Sequence, residues 1–156
     1  MSRPSLTPDY SQPAPPVRDA GAIHDGSSVE TLARSLWGES RTIAPGTRPA
    51  VMEAMAGMAV NISQRDGRHI ASVALDPSLF ACRTPAEEGA VQAVDSRDPS
   101  FAIALRIARR ILAMTGKAVP LPGNGATRFH SAGENPAWAC GRTPVLVLDD
   151  FLFYRD

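Results

Sequence analysis

Apolar residues recur at helical spacing over 27–41. Val29, Leu32, Ala33, Leu36 and Trp37 fall at i, i+3, i+4, i+7 and i+8, which puts them on one buried face. Ser27 and Glu30 have the spacing of a capping box and predict the start of this helix. Pro45 and Gly46 then break the chain, and a second helix is predicted over 47–64, with Pro49 in its first turn and Asp66-Gly67 as its stop. Val51, Met52, Met55, Met58, Ala59 and Ile62 form its apolar stripe. Ala54, Ala56 and Gly57 keep it slim, as close packing against another helix requires.

Further on, 68–76 is a short mixed stretch, helical or extended. Thr84-Pro85-Ala86-Glu87 reads as a second capping box opening a short helix, and Asp98-Pro99 starts a longer one that ends near Gly116. Phe101, Ala104, Leu105, Ala108, Ile111 and Leu112 are the expected buried face of the latter, with Arg106, Arg109 and Arg110 on its solvated side. Residues 117–125 are a loop rich in proline and glycine. Short extended segments near 126–131 and 144–154 are placed to pair as a small sheet. The fold class expected is α+β, mostly helical.

Residues 1–26 show no period and carry Pro4, Pro8, Pro13, Pro15 and Pro16. They read as a disordered arm holding an inert His24, and 27–156 as one domain. Sixteen basic residues balance sixteen acidic ones, which argues against nucleic acid as a partner. No apolar run is long enough to span a membrane, and the N-terminus lacks the core of a secretory signal. Cys82 and Cys140 lack zinc-like spacing. They either pair or remain thiols, and the missing leader favours thiols.

The chemistry of interest lies at Glu39. It sits three residues after Leu36 and seven after Leu32, hence on or beside the apolar stripe, with Trp37 and Gly38 before it. Desolvation there raises the pKa of a carboxyl group, so it can hold a proton near neutrality and deliver it to a leaving group, as lysozyme's acid does beside a tryptophan. The alternative is a solvated glutamate at a frayed helix end.

The run Leu32-Ala33-Arg34-Ser35-Leu36-Trp37-Gly38-Glu39-Ser40-Arg41 resembles the opening signature of the SleB-type cell wall hydrolases, the family of spore cortex-lytic enzymes, with Ser40 in place of an alanine. Four further segments resemble that family in the same order. They are 52–61, closing on Asn61; 79–83, where Phe80 and Cys82 match and Leu79, Ala81 and Arg83 depart; 126–138, where Thr127, His130, Pro136 and Trp138 match, Phe129 stands for a tyrosine and Arg128 for a histidine; and the closing Phe153-Tyr154. The resemblance implies a lysozyme-like or lytic-transglycosylase-like helical domain with a small sheet beside a cleft. It implies cleavage of the MurNAc–GlcNAc bond of peptidoglycan, with Glu39 as the single acid and base and no cofactor or metal.

The expected substrate contacts are Trp37, Thr127, Phe129, His130, Trp138 and Tyr154. Pyranose faces stack on aromatic rings, though Trp37 is expected to pack under the acid. His130 either hydrogen-bonds a sugar or Glu39, or is a satisfied core histidine. Thr127 either meets substrate or serves the sheet. Glu53, Asp66, Asp76 and Glu134 are the leftover acids. Rival readings are a cysteine amidase or peptidase, with Cys82 as nucleophile and His130 as base, and a non-catalytic wall-binding subunit of a phage-like particle. Peptidoglycan is the expected partner. The missing leader implies synthesis in the cytoplasm and delivery to the wall or periplasm by a phage-like particle, a holin-type lysis system or a secretion machine.

Overall fold

The most extensively buried helix among the described residues becomes the centre of the fold. In the computed structural model, which describes residues 26–156, the second helix is α2 (Arg48–Asp66), and it is buried on nearly every side from Val51 to Val60. The expected stripe is therefore too narrow: Ala54, Ala56, Gly57 and Val60 are covered as well. A helix that is apolar all round belongs inside a domain, and this one is wrapped by the others.

The preceding helix α1 (Gly26–Ser40) packs on α2, on α3 (Ile70–Ala74) and most extensively on α5 (Pro99–Ala113), while α4 (Glu88–Ala93) lies against its outer side. A 3₁₀ turn, Ala81–Arg83, joins α3 to α4 and also contacts α1. The sheet has three antiparallel strands in the order β1 (Arg128–Ser131), β3 (Phe151–Tyr154), β2 (Leu146–Leu148). Phe129 pairs with Phe153 and Leu146 pairs with the same residue from the other side, so these side chains share the face turned to the core. A second 3₁₀ turn, Ala137–Ala139, lies between β1 and β2. About half of the described chain is helical, and the α+β class expected from the pattern is the one found.

Local corrections have physical causes. Helix α1 begins at Gly26, so Ser27 lies within its first turn and forms no capping box; its carbonyl accepts from Thr31 Oγ1 at 2.8 Å, and Glu30 pairs with Arg34 one turn on. The Thr84 box also fails to form. Thr84 Oγ1 donates to the Ala81 carbonyl at 2.9 Å, Glu87 pairs with Arg41, and α4 starts only at Glu88. On α5, Ile107 is buried and Leu105 only half so. Other punctuation is as expected. Asp98 caps α5 by accepting from the backbone N–H groups of Ser100 and Phe101, and Gly67 ends α2 at φ 63°. The arm 1–25 and His24 lie outside the described residues. Within them no helix is long and apolar enough to cross a membrane, and Cys82, buried, and Cys140, exposed, are both free thiols.

The small residues of α2 admit a loop, not a helix. Residues 117–125 cross α2 at Ala54 and Gly57, where a Cβ added to Gly57 would stand 1.8 Å from the Pro122 carbonyl oxygen. Asn61, one turn on, donates to the Ala126 carbonyl at 3.0 Å and so fixes the chain just before β1. A Gly57→Ala variant is expected to force this loop off α2 and lose about 3 kcal/mol of stability, at the upper end of overpacking costs. Thermal or urea unfolding of the variant against wild type measures it.

Candidate functional site at the end of the first helix

Glu39 lies in the last turn of α1, against the 3₁₀ turn. Its Oε1 accepts the backbone N–H of Cys82 at 2.8 Å. Two features of sequence bring the turn this close. Gly38 has no side chain, and a Cβ there would come within 2.7 Å of both Cβ and Sγ of Cys82. Arg83, which stands where the resembled family has tryptophan, is buried and fully engaged. Its Nε donates to Ser35 Oγ at 2.8 Å, its Nη2 to the Thr31 carbonyl at 2.7 Å and its Nη1 to Glu88 at 3.0 Å. Ser35 in turn donates to the Ala74 carbonyl at 2.6 Å. The arginine thus ties the turn to α1, α3 and α4 without facing a ligand.

Burial is the largest influence on Glu39 and holds its pKa above the ordinary 4.5. The hydrogen bonds from Cys82 oppose it, the charge of Glu134 adds to it, and the charge of Arg41 opposes it weakly. Cys82 pays the reverse cost: burial first, then the neighbouring Glu39 charge, push its thiol up to about 12.

Beside this junction runs a cleft of about 350 Å³, lined by Met58 of α2, Ser78 and Leu79 before the 3₁₀ turn, and Arg128, Phe129, His130, Glu134, Pro136 and Trp138 on the sheet side. Of the expected site residues, Phe129, His130 and Trp138 meet here. Phe129 is the floor, its ring 5.7 Å from those of Phe151 and Phe153. Trp138 is half-buried, with the Arg128 guanidinium 5.2 Å over its ring. Glu39 is not itself among the lining residues; it adjoins the cleft through Cys82, three residues beyond Leu79, and through the charge of Glu134.

The other expected contacts are committed elsewhere. His130 is buried, with Nδ1 2.7 Å from the Ser131 carbonyl and Nε2 3.0 Å from the Tyr154 hydroxyl. A carbonyl only accepts, so Nδ1 carries the proton, and neither nitrogen is left for a sugar or for Glu39. His130 is the satisfied core histidine of the two alternatives. Tyr154 lies behind it, stacked at 5.3 Å and 4 % exposed. Thr127 serves the sheet end: its N–H donates to the Tyr154 carbonyl at 2.8 Å and its hydroxyl exchanges bonds with Asp156. Trp37 packs beside the core with the Arg41 guanidinium 5.5 Å over its ring, outside the cleft lining.

Met58, Ser78, Leu79, Arg128 and Glu134 also line the cleft, although the sequence pattern gave none of them a substrate contact. Among the described residues no cluster of His, Cys, Asp and Glu is arranged to hold a metal ion.

The chain matches no family model, no curated protein and no solved structure. The resemblance to the SleB-type hydrolases therefore rests on the five sequence segments alone.

Two outcomes follow from the shifted groups. A carboxyl whose folded pKa is raised adds stability in acid, and that stability is lost as pH rises from 4.5 through the raised value. Glu39→Gln abolishes the ionisation while its amide oxygen still accepts from Cys82. The variant's melting temperature relative to wild type is expected to climb with pH across that window and to level off above it; a constant difference from pH 4 to 8 would contradict a half-buried Glu39 with a raised pKa. In the folded protein at pH 8, iodoacetamide is expected to alkylate Cys140 and spare Cys82, as read by peptide mass spectrometry.

Proposed function

We propose that this protein cleaves peptidoglycan glycan strands at the MurNAc–GlcNAc bond, in the manner of the SleB-type hydrolases, with a lysozyme-like or lytic-transglycosylase-like helical domain and Glu39 as general acid. The observation that carries the reading is the state of Glu39: desolvated, raised in pKa, and held by one oxygen on the Cys82 N–H beside a cleft with an aromatic floor. The order of the five resembling segments supports it independently.

The geometry divides the carboxyl group by task. Oε1 is occupied by the Cys82 N–H, which leaves Oε2 to carry the proton. Burial favours the protonated form of the group, and the Cys82 hydrogen bonds oppose it. Transfer of the proton to the glycosidic oxygen breaks its bond to the MurNAc C1, and the positive charge left behind spreads over C1 and the ring oxygen. The departing GlcNAc leaves with a new hydroxyl. Glu39, now a carboxylate, then takes the proton of the hydroxyl that bonds to C1, from water or from the sugar's own C6, and is ready for another cycle. Trp138 and Phe129 offer the apolar surface on which a pyranose stacks.

The cysteine reading has less support. A thiol held near 12 is protonated at neutral pH, and His130 has no nitrogen to spare for it.

Digestion of purified peptidoglycan, with products resolved by liquid chromatography and mass spectrometry, tests the proposal. Wild type is expected to release glycan-cleaved muropeptides, and Glu39→Gln to lose about 100-fold or more of that rate while remaining folded. Release of free stem peptides with intact glycan would move the activity to an amidase or peptidase. Unchanged cleavage by the variant would remove Glu39 from the chemistry.

A further inference from the structure

Arg128 carries the one guanidinium in the cleft lining, and it stands where the resembled family has histidine. Its strand, β1, is an edge of the sheet. Alternation turns Phe129 to the core and puts Arg128 on the other face, with His130 and its own cross-strand partner Tyr154. Trp138 packs on that face, its ring 5.6 Å from that of His130 and 5.3 Å from that of Tyr154. Both of those residues are buried, so the indole is held from behind. The Arg128 guanidinium lies 5.2 Å over the same indole.

What matters next is what this guanidinium does not touch. Its Nε is 3.5 Å from Asp156 Oδ2, too far for a good hydrogen bond. That carboxylate already accepts from Arg65 at 2.9 Å, Arg142 at 3.0 Å and Thr127 at 3.2 Å. Glu134, the one acid in the lining, makes no ion pair with Arg128. Among the described residues Arg128 thus donates no hydrogen bond, and its side chain is 43 % exposed. The buried Arg83, by contrast, spends its donors on Ser35, Thr31 and Glu88. A guanidinium stacked on a ring keeps its in-plane N–H groups free, and these form a planar fork that fits a carboxylate through two parallel bonds.

We infer that Arg128, seated on Trp138, is a substrate-binding residue that takes the carboxylate carried by MurNAc. The inference rests on the glycan-cleaving reading above and narrows its substrate. GlcNAc is uncharged. MurNAc differs from it by a lactyl ether whose carboxyl group is either free or joined to a stem peptide with carboxylates of its own, and these groups are ionised near neutrality. Stacking on aromatic rings does not separate the two sugars, since both offer a pyranose face. A fixed cation beside the platform does separate them, and so sets which of the two alternating bonds is presented for cleavage. Histidine at this position would be largely uncharged near neutrality, whereas arginine is charged at every working pH.

The test is steady-state kinetics on soluble glycan strands, peptide-bearing or stripped of peptide by an amidase, each before and after conversion of its carboxyl groups to neutral methylamides. Wild type is expected to lose about 10-fold in kcat/KM on neutralised strands, mainly through KM, as fits one charge-assisted hydrogen bond. Arg128→Met is expected to show that loss already on the charged strands and to lose little more when they are neutralised. Arg128→Lys, which keeps the charge without the fork, is expected to recover part of it. A loss seen with stripped strands assigns the lactyl carboxylate, and one confined to peptide-bearing strands assigns the stem peptide. An equal loss by Arg128→Met on charged and neutral strands would reduce Arg128 to a brace for Trp138 and overturn the inference. Wild-type kinetics unchanged by neutralisation would overturn it as well. Cleavage by wild type that Glu39→Gln abolishes would in either case leave the proposed function standing, whereas no glycan cleavage by wild type would overturn both.

Discussion

The junction between the last turn of α1 and the Ala81–Arg83 turn is the constraint on which the site depends. Three things meet there: a glycine that lets the turn come within contact of the helix, a backbone N–H that takes one oxygen of Glu39, and a buried arginine that holds the turn to α1, α3 and α4. A buried guanidinium costs several kcal/mol to desolvate and is tolerable only when its donors are met. Arg83 meets that condition through Ser35, Thr31 and Glu88. The rigidity it provides is passed to the Cys82 N–H, one residue away, and so to the carboxyl group.

The second organising fact is that α2 is buried all round. Its small residues let the 117–125 loop lie directly on the helix, and Asn61 fixes the entry to β1 by holding the Ala126 carbonyl. Strand β1 then presents Phe129 to the core and His130 to Tyr154 and Trp138 on the opposite face. The cleft exists because the sheet and the segment before the 3₁₀ turn are both held to α2, with Met58 between them.

How much of this was legible in the chain depends on the range of the interaction. Helical periodicity located α1, α2 and α5, and the glycine, asparagine and aspartate signals located several of their ends, because these are local effects. The half-buried position of Glu39 followed from its place on the apolar stripe, which is also local. The capping boxes at Ser27 and Thr84 failed because Glu30 and Glu87 found arginine partners, Arg34 within the helix and Arg41 far along the chain. His130, Thr127 and Tyr154 were expected at the substrate, but the register of β1 on β3 joins them to one another and to Asp156. Glu134 was named only as a leftover acid, because its place in the cleft lining is set by the turn after β1 and is visible only after folding.

Glu39 and Glu134 show that the fold, and not residue type, sets a carboxyl group's environment. Desolvation stabilises the neutral form of Glu39, the Cys82 hydrogen bonds stabilise the charged one, and the balance leaves the pKa above its ordinary value. A carboxyl group with burial alone would hold its proton too tightly to give it up; one with the N–H alone would be ionised and useless as an acid. A negative charge at Glu134 adds to the rise at Glu39. Packing of Gly38 on Cys82 shelters the one carboxyl group, and the turn after β1 leaves the other in solvent.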